Sequence, residues 1–241
     1  MAKLYTEEYF KARVGDLLFY RLNDMMVLRT ISGFTKETRN TQSKYENCTR
    51  SANEFGRVSA ACKQIRVALY GILPKQNNLA VVNSFTKKMR EVLEHDSINE
   101  RGERQLANAL ATEKGRQLLK GYEFNPDTKI TIEYAMADDN LSVTIDTNGI
   151  AFPKGAKCIG FRAHQLVFDF ATGASELVSG EWVMESKTGL RRTVVLDLPG
   201  FADANGVVFM LLEIEFYGDV GGDFVPMIGD GGKSVGIVEI R

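Results

Sequence analysis

The chain has 241 residues, of which 44% are hydrophobic and 25% are charged. This composition is that of a globular protein, and it excludes collagen-like, low-complexity and globally disordered chains. The net charge of −1 divides unevenly, because residues 1–130 carry 22 Lys and Arg against 15 Asp and Glu, whereas residues 131–241 carry 8 against 16. A basic half therefore precedes an acidic half.

The N-terminal residues and the cysteines bear on localisation. Residues 1–14 are charged throughout and offer no apolar core for a signal peptide. The longest apolar runs, such as residues 207–212, fall far short of the roughly 18 to 20 residues of a membrane helix. Cys48, Cys62 and Cys158 are too few for a disulfide framework, which favours reduced thiols. We expect a cytoplasmic protein without a membrane span.

The first regular element predicted is a β-hairpin. Residues 17–20 (LLFY) and 25–28 (MMVL) flank Asn23 and Asp24, a pair that tolerates the positive φ of a tight turn. If Leu22 opposes Met25, both faces of the ribbon are apolar. A two-stranded ribbon is at best marginally stable alone, so we expect both faces to be covered.

Three helices are predicted next. Apolar residues recur at helical spacing from about Ser51 to Ile72, from Leu79 to about His95, and more weakly from Glu103 to Lys120. Gly115 weakens the third pattern, while Gly121 is well placed to end that helix. The interval 97–102 is polar and turn-like. We expect the helices to form a short-loop bundle beside the hairpin.

From Tyr122 onward the sequence alternates like β-strands punctuated by Gly, Asp, Asn and Pro. The longest run predicts a strand in which Val208, Met210, Leu212, Ile214 and Phe216 are buried on one face. Its other face begins apolar at Val207, Phe209 and Leu211, which the helices or another subunit must cover. The predicted fold is α+β, with a basic hairpin and three-helix region (1–121) followed by an acidic antiparallel β-sandwich of about eight strands (122–241).

No motif predicts a catalytic centre or a cofactor. The string from Gly229 to Ser234 ends like a phosphate-binding loop, but Met227 replaces the first glycine and no helix can follow. Glu213 and Glu215 share a strand face. Two such carboxylates can serve acid–base chemistry or bind a cation, but exposed surface charges are commoner and are the interpretation we favour. His95 and His164 lie far apart without zinc-ligand spacing. We expect a protein that is not an enzyme and binds no cofactor or metal.

The basic N-terminal stretch has three interpretations, of which the simplest is a charged face exposed to solvent. Aromatic residues are interleaved with its cations, and such a surface can bind nucleic acid through phosphate contacts and base stacking. It can equally bind an acidic protein surface, which this chain itself encodes, and the isoelectric point near 6.2 is low for a nucleic-acid binder. Under the nucleic-acid interpretation the contacting residues are Lys36, Arg39, Lys44, Arg50 and Arg57.

Four segments carry a resemblance to a known family. Residues 15–20 (GDLLFY), 52–57 (ANEFGR), 118–125 (LLKGYEFN) and 214–217 (IEFY) resemble a family of uncharacterised proteins from Bacteroidota. The resemblance implies a basic hairpin-and-helix region followed by a β-rich region, and it implies no activity or site residue. Residues 30–34 (TISGF) depart from the family's Gly- and Lys-rich pattern, which weakens the case for a polybasic arm.

The charge division and the two apolar faces have two explanations: the hairpin and helices pack onto the sandwich within one monomer, or copies of the chain assemble. We favour self-assembly. Unlike patches that meet head to tail close into rings or propagate as tubes or filaments. We therefore expect a structural homo-oligomer, with a nucleic-acid-binding or DNA-packaging protein and a ligand- or carbohydrate-binding sandwich as alternatives. The expected interface consists of Leu17, Phe19, Tyr20, Arg21, Met25, Met26, Leu28 and Arg29.

Overall fold

A computed structural model describes residues 2–4, 9–31, 36–74, 78–125, 128–137, 141–200, 205–229 and 231–241. The chain divides into two compact units, Met1–Ser51 and Ala52–Arg241. The fold is α+β, as predicted, and its described strands pair antiparallel.

The first unit contains a four-stranded sheet centred on the predicted hairpin. Strands β3 (Leu17–Leu22) and β4 (Met25–Thr30) pair with Leu22 opposite Met25, which confirms the predicted register. Asn23 adopts a φ of 53°, the left-handed conformation that the turn requires. The hairpin is flanked by β1 (Ala2–Leu4) and β2 (Ala12–Val14), in the order β1-β4-β3-β2. These short flanking strands were not predicted.

Helices follow the sheet. Helix α1 spans Lys36–Thr41, a 3₁₀ turn spans Ser43–Tyr45, and α2 (Glu46–Ala68) begins in the first unit. Helix α3 (Asn78–Leu93) matches the second predicted helix.

The third predicted helix is interrupted, so the expected three-helix region is not confirmed. Helices α4 (Leu106–Ala111) and α5 (Glu113–Leu119) meet at Thr112, which has extended backbone and accepts a hydrogen bond from the Gly115 amide at 3.0 Å. A Cβ at residue 115 would lie 2.0 Å from the Ala109 carbonyl oxygen, so this turn requires glycine. Gly121 follows α5 with a φ of 77°, as expected for a residue that ends a helix.

Two further sheets complete the second unit. The smaller sheet has the order β10-β6-β5, formed by Thr193–Asp197, Ser142–Asp146 and Glu133–Met136. The larger has the order β12-β11-β7-β8, with β13 also paired to β11 and β9 to β7. Its strands are β7 (Ala156–Phe168), β8 (Ser175–Ser179), β9 (Val183–Ser186), β11 (Val207–Val220), β12 (Asp223–Pro226) and β13 (Lys233–Ile240).

The larger sheet is covered on both faces. Phe209 and Leu211 of β11 share a hydrophobic core with residues of α2 to α5, with Val207 packed at its edge. Met210, Leu212, Ile214 and Phe216 are buried on the other face, in a core shared with the smaller sheet, while Val208 is half-buried. The helices therefore cover the second apolar face of β11. The predicted eight-stranded sandwich is not confirmed in that form, because a helical layer belongs to the same unit.

Within the described residues, no helix has both the length and the apolar character needed to cross a bilayer.

Candidate functional site

The N-terminal sheet contains every residue of the predicted assembly interface. Strand alternation places Leu17, Phe19 and Arg21 on one face with Met26 and Leu28. The other face carries Tyr20, Met25 and Arg29. The predicted set thus divides between two faces.

The first of these faces has an uncovered apolar area at its β2 side. Phe10, Val14 and Leu17 are 55%, 63% and 39% exposed, and Val14 lies directly opposite Leu17. The Phe10 ring lies 5.6 Å from the ring of Phe19, which is half-buried. We call Phe10, Val14 and Leu17 the N-terminal apolar patch. Met26, by contrast, is only 2% exposed, so its own chain already covers it.

Arg21 lies on the face of this patch, towards the hairpin turn, whereas Arg29 lies on the opposite face. Arg21 donates to the Asn23 carbonyl at 2.7 Å, lies 3.3 Å from an Asp24 carboxylate oxygen, and stacks over the Tyr9 ring. Arg29 lies over the Tyr20 ring at 5.5 Å. These contacts hold the guanidinium groups against the aromatic rings while leaving both arginines exposed.

The candidate nucleic-acid residues are spread over several helical elements. Lys36 begins α1, although its side chain lies outside the described residues, and Arg39 belongs to the same helix. Lys44 lies over the Tyr45 ring at 4.9 Å. Arg50 is paired with Glu46 at 2.7 Å, and Arg57 donates to the Gly102 carbonyl. Lys44, Arg50 and Arg57 are thus each engaged in contacts within the chain.

A polar network crosses the larger sheet on its helix-facing side. Nδ1 of His164, in β7, is hydrogen-bonded to the Ser179 hydroxyl at 2.8 Å. Nε2 of the same ring lies 2.9 Å from the Glu213 carboxylate, in β11. The second carboxylate oxygen of Glu213 pairs with the Lys233 ammonium of β13. Lys233 also lies 3.8 Å from Glu215, which accepts a hydrogen bond from the Tyr217 hydroxyl at 2.9 Å. The network therefore joins strands β8, β7, β11 and β13.

Burial and charge fix the state of Glu213. Burial alone would raise the pKa of this carboxyl group, but the hydrogen bond from His164 and the Lys233 ammonium outweigh that effect and lower the pKa. Because an ionised carboxylate only accepts, Nε2 of His164 carries the proton in this pair. Burial and the hydrogen bond to Glu215 raise the pKa of Tyr217. Glu213 and Glu215 share a face as predicted, but neither is the exposed carboxylate that the sequence favoured.

The order hydroxyl, imidazole, carboxylate also occurs in nucleophilic catalysis. Here the side chains of His164 and Glu213 are 0% and 3% exposed. Lys233 pairs with the other oxygen of Glu213. His164 and Lys233 together compensate the buried charge of Glu213.

A cavity of about 490 Å³ lies between the helices and the larger sheet. Its apolar lining includes Val58, Leu93, Leu106 and Phe168, and Arg57 is its half-exposed cation. Arg104, which also lines it, is held by Glu54 through hydrogen bonds of 2.8 and 2.9 Å. The volume lies within the range of small-molecule sites.

Sequence reasoning missed both the network and the cavity. Lys233 was considered only as part of a phosphate loop, and Ser179 was not considered. His164 and Glu213 are 49 residues apart, so no spacing rule connects them. One signal for the network was present in the sequence: His164 and Glu213 are polar residues within apolar strand runs. Polar residues at such positions need hydrogen-bond partners when they are buried.

No family model matches the chain, and searches of curated proteins and of solved structures likewise find no significant match.

Proposed function

We propose that this chain is a non-enzymatic structural protein that assembles with copies of itself, head to tail, into a ring, tube or filament. The observation that carries the proposal is the N-terminal apolar patch, because Phe10, Val14 and Leu17 remain uncovered side by side. Contiguous exposed apolar side chains rimmed by charge are typical of protein–protein contacts.

The patch is too small to drive association by itself. Its three side chains are each roughly half exposed, so covering them contributes on the order of 1 kcal/mol apiece. Association costs about 4 to 15 kcal/mol in lost freedom of motion. The partner surface must therefore supply further apolar contacts, while the basic and acidic character of the two halves orients the encounter.

Particle mass tests this proposal directly. Multi-angle light scattering of the purified full-length chain, followed by negative-stain microscopy, should show particles of several copies at micromolar concentration. A monomer at every concentration would contradict self-assembly. A particle with two-fold symmetry and no open or cyclic arrangement would contradict the head-to-tail contact.

The proposal includes several finer features. Within the second unit we propose that the two sheets form a sandwich, supported by the core shared between them. We also propose a cytoplasmic location and membership in the Bacteroidota family that the chain resembles. Nucleic-acid binding has less support, because Arg50 and Arg57 already contact groups of their own chain.

The cavity supports a second candidate function, the binding of a small apolar ligand. Its volume of about 490 Å³ and its apolar lining are the supporting observations. In a thermal-shift measurement, dodecanoate should raise the melting temperature of the wild type. It should not raise that of Ala61→Trp, because the indole would fill the cavity. No shift in either protein would remove this candidate.

A further inference from the structure

A protruding β-ribbon in the second unit leaves its side chains uncovered. Strand β12 pairs with the last residues of β11, and all four of its residues are exposed. Gly221 and Gly222 join the strands with φ values of 68° and 97°, which allows a tight two-residue turn. We call residues 218–228 the arm. Within the described part of the chain, β12 pairs with no strand other than β11.

The arm carries large apolar side chains that are exposed to solvent. Val220, Phe224, Val225 and Ile228 are 66%, 56%, 45% and 95% exposed. Met227, at the base of the arm, packs against the core that the two sheets share. The arm is thus anchored at one end, while the ribbon beyond has no core of its own. A two-stranded ribbon with both faces in water is at best marginally stable, so a surface that covers it would stabilise it.

The arm belongs to an acidic stretch of the chain. Residues 193–232 contain no Lys or Arg but seven Asp and Glu. Asp219 and Asp223 lie on the arm itself, and both are exposed. The N-terminal sheet has the opposite balance, because residues 9–31 carry Lys11, Arg13, Arg21 and Arg29 against Asp16 and Asp24.

We propose that the arm of one copy packs against the N-terminal apolar patch of a second copy. The inference rests on the proposed self-assembly and names its two surfaces. Phe224 and Ile228 of one copy cover Phe10, Val14 and Leu17 of the next, while Asp219, which lies on the same face of the ribbon as Phe224, approaches Arg21 on the face of the patch. Because the two surfaces are unlike and every copy carries both, the contact repeats from copy to copy.

Cysteine cross-linking between two single variants tests this contact. Exposed Cys48 is first replaced by Ser, since Cys62 and Cys158 are buried. One preparation carries Val14→Cys and the other, with an affinity tag that changes its mass, carries Ile228→Cys. On mild oxidation the mixture should give the mixed disulfide in several-fold excess over either self-linked product. Ile98→Cys, at a position 75% exposed in a different loop, replaces Ile228→Cys as the control and should give only background cross-linking.

An association measurement accompanies the cross-linking. Phe224→Asp should weaken self-association at least about tenfold, whereas Ile98→Asp should leave it unchanged. If the wild type assembles but Phe224→Asp assembles equally well and no mixed disulfide forms, the arm–patch contact is overturned and self-assembly stands. Dominant self-linking of Ile228→Cys would mean that arm meets arm, which also overturns the contact. A wild type that stays monomeric overturns both proposals.

Discussion

Nε2 of His164 and the carboxylate of Glu213 lie 2.9 Å apart in a region where both side chains are almost fully buried. The two residues belong to neighbouring strands, β7 and β11, and Lys233 from β13 takes the other oxygen of Glu213. The carboxylate thus links three strands of the larger sheet. Its charge is compensated on both sides, which is the condition under which a buried ion persists.

Glu213→Gln should lower the free energy of unfolding by about 3 kcal/mol, because Lys233 loses its closest counter-charge in a buried setting. Glu215→Gln is the matched control on the same strand face, and it should cost less than about 1 kcal/mol, since an amide oxygen still accepts from Tyr217. Urea unfolding followed by circular dichroism measures both values. Equal losses in the two variants would mean that the network does not centre on Glu213.

The buried carboxylate of Asp96 leads to a prediction about how the free energy of unfolding depends on pH. Its carboxylate is 6% exposed and accepts from the backbone amides of Ile98, Asn99 and Gln105 and from the Asn99 side chain. Burial alone would raise the pKa, but these hydrogen bonds outweigh it and lower the pKa from 3.8 to about 2. The ionised form therefore stabilises the fold above pH 3.8, and this stabilisation is lost as the pH falls through about 2.

Asp96→Asn should consequently cost on the order of 2 kcal/mol at pH 7. The difference from wild type should stay constant between pH 5 and pH 8 and shrink below about pH 4. Denaturant unfolding at a series of pH values provides the measurement. A difference that already declines between pH 7 and pH 5 would show that another group is responsible.

Asn23 tests the turn of the N-terminal hairpin. With a φ of 53°, this residue occupies the left-handed region, which a β-branched side chain strongly disfavours. Asn23→Val should destabilise the hairpin by about 1 to 2 kcal/mol, whereas Asn23→Gly should change it by less than about 0.5 kcal/mol. Hydrogen exchange of the β3 and β4 amides reports the difference. Similar exchange in the two variants would contradict the role assigned to this backbone conformation.

The sequence predicted those elements whose determinants are local. The hairpin register follows from Asn23 and Asp24 between two apolar runs, and the burial of Met210 to Phe216 follows from strict alternation. Strand β2 has only three residues, too few to show a period. The division between α4 and α5 depends on the close approach of Gly115 to Ala109, and propensity alone does not reveal such an approach.

Features that depend on distant pairing were not predictable from a single sequence. The polar network needs the β7–β11 register, which places Glu213 opposite Arg162 and Leu211 opposite His164. Hydrophobic patterning predicts which face of a strand a residue occupies, but it does not predict which residues of other strands lie beside it. For the same reason the two faces of the N-terminal hairpin could not be ranked from their pattern, whereas the structure leaves a contiguous apolar area at Phe10, Val14 and Leu17.

Sedimentation velocity of three proteins tests self-assembly through the N-terminal apolar patch most directly. Leu17→Asp places a charge in the patch, while Leu22→Asp, at a residue 46% exposed on the opposite face of the same strand, is its matched control. Wild type and Leu22→Asp should sediment faster as concentration rises through the micromolar range, whereas Leu17→Asp should remain a monomer with an unchanged melting temperature. A wild type that stays monomeric throughout, or equal loss of assembly in both variants, would contradict assembly through this patch.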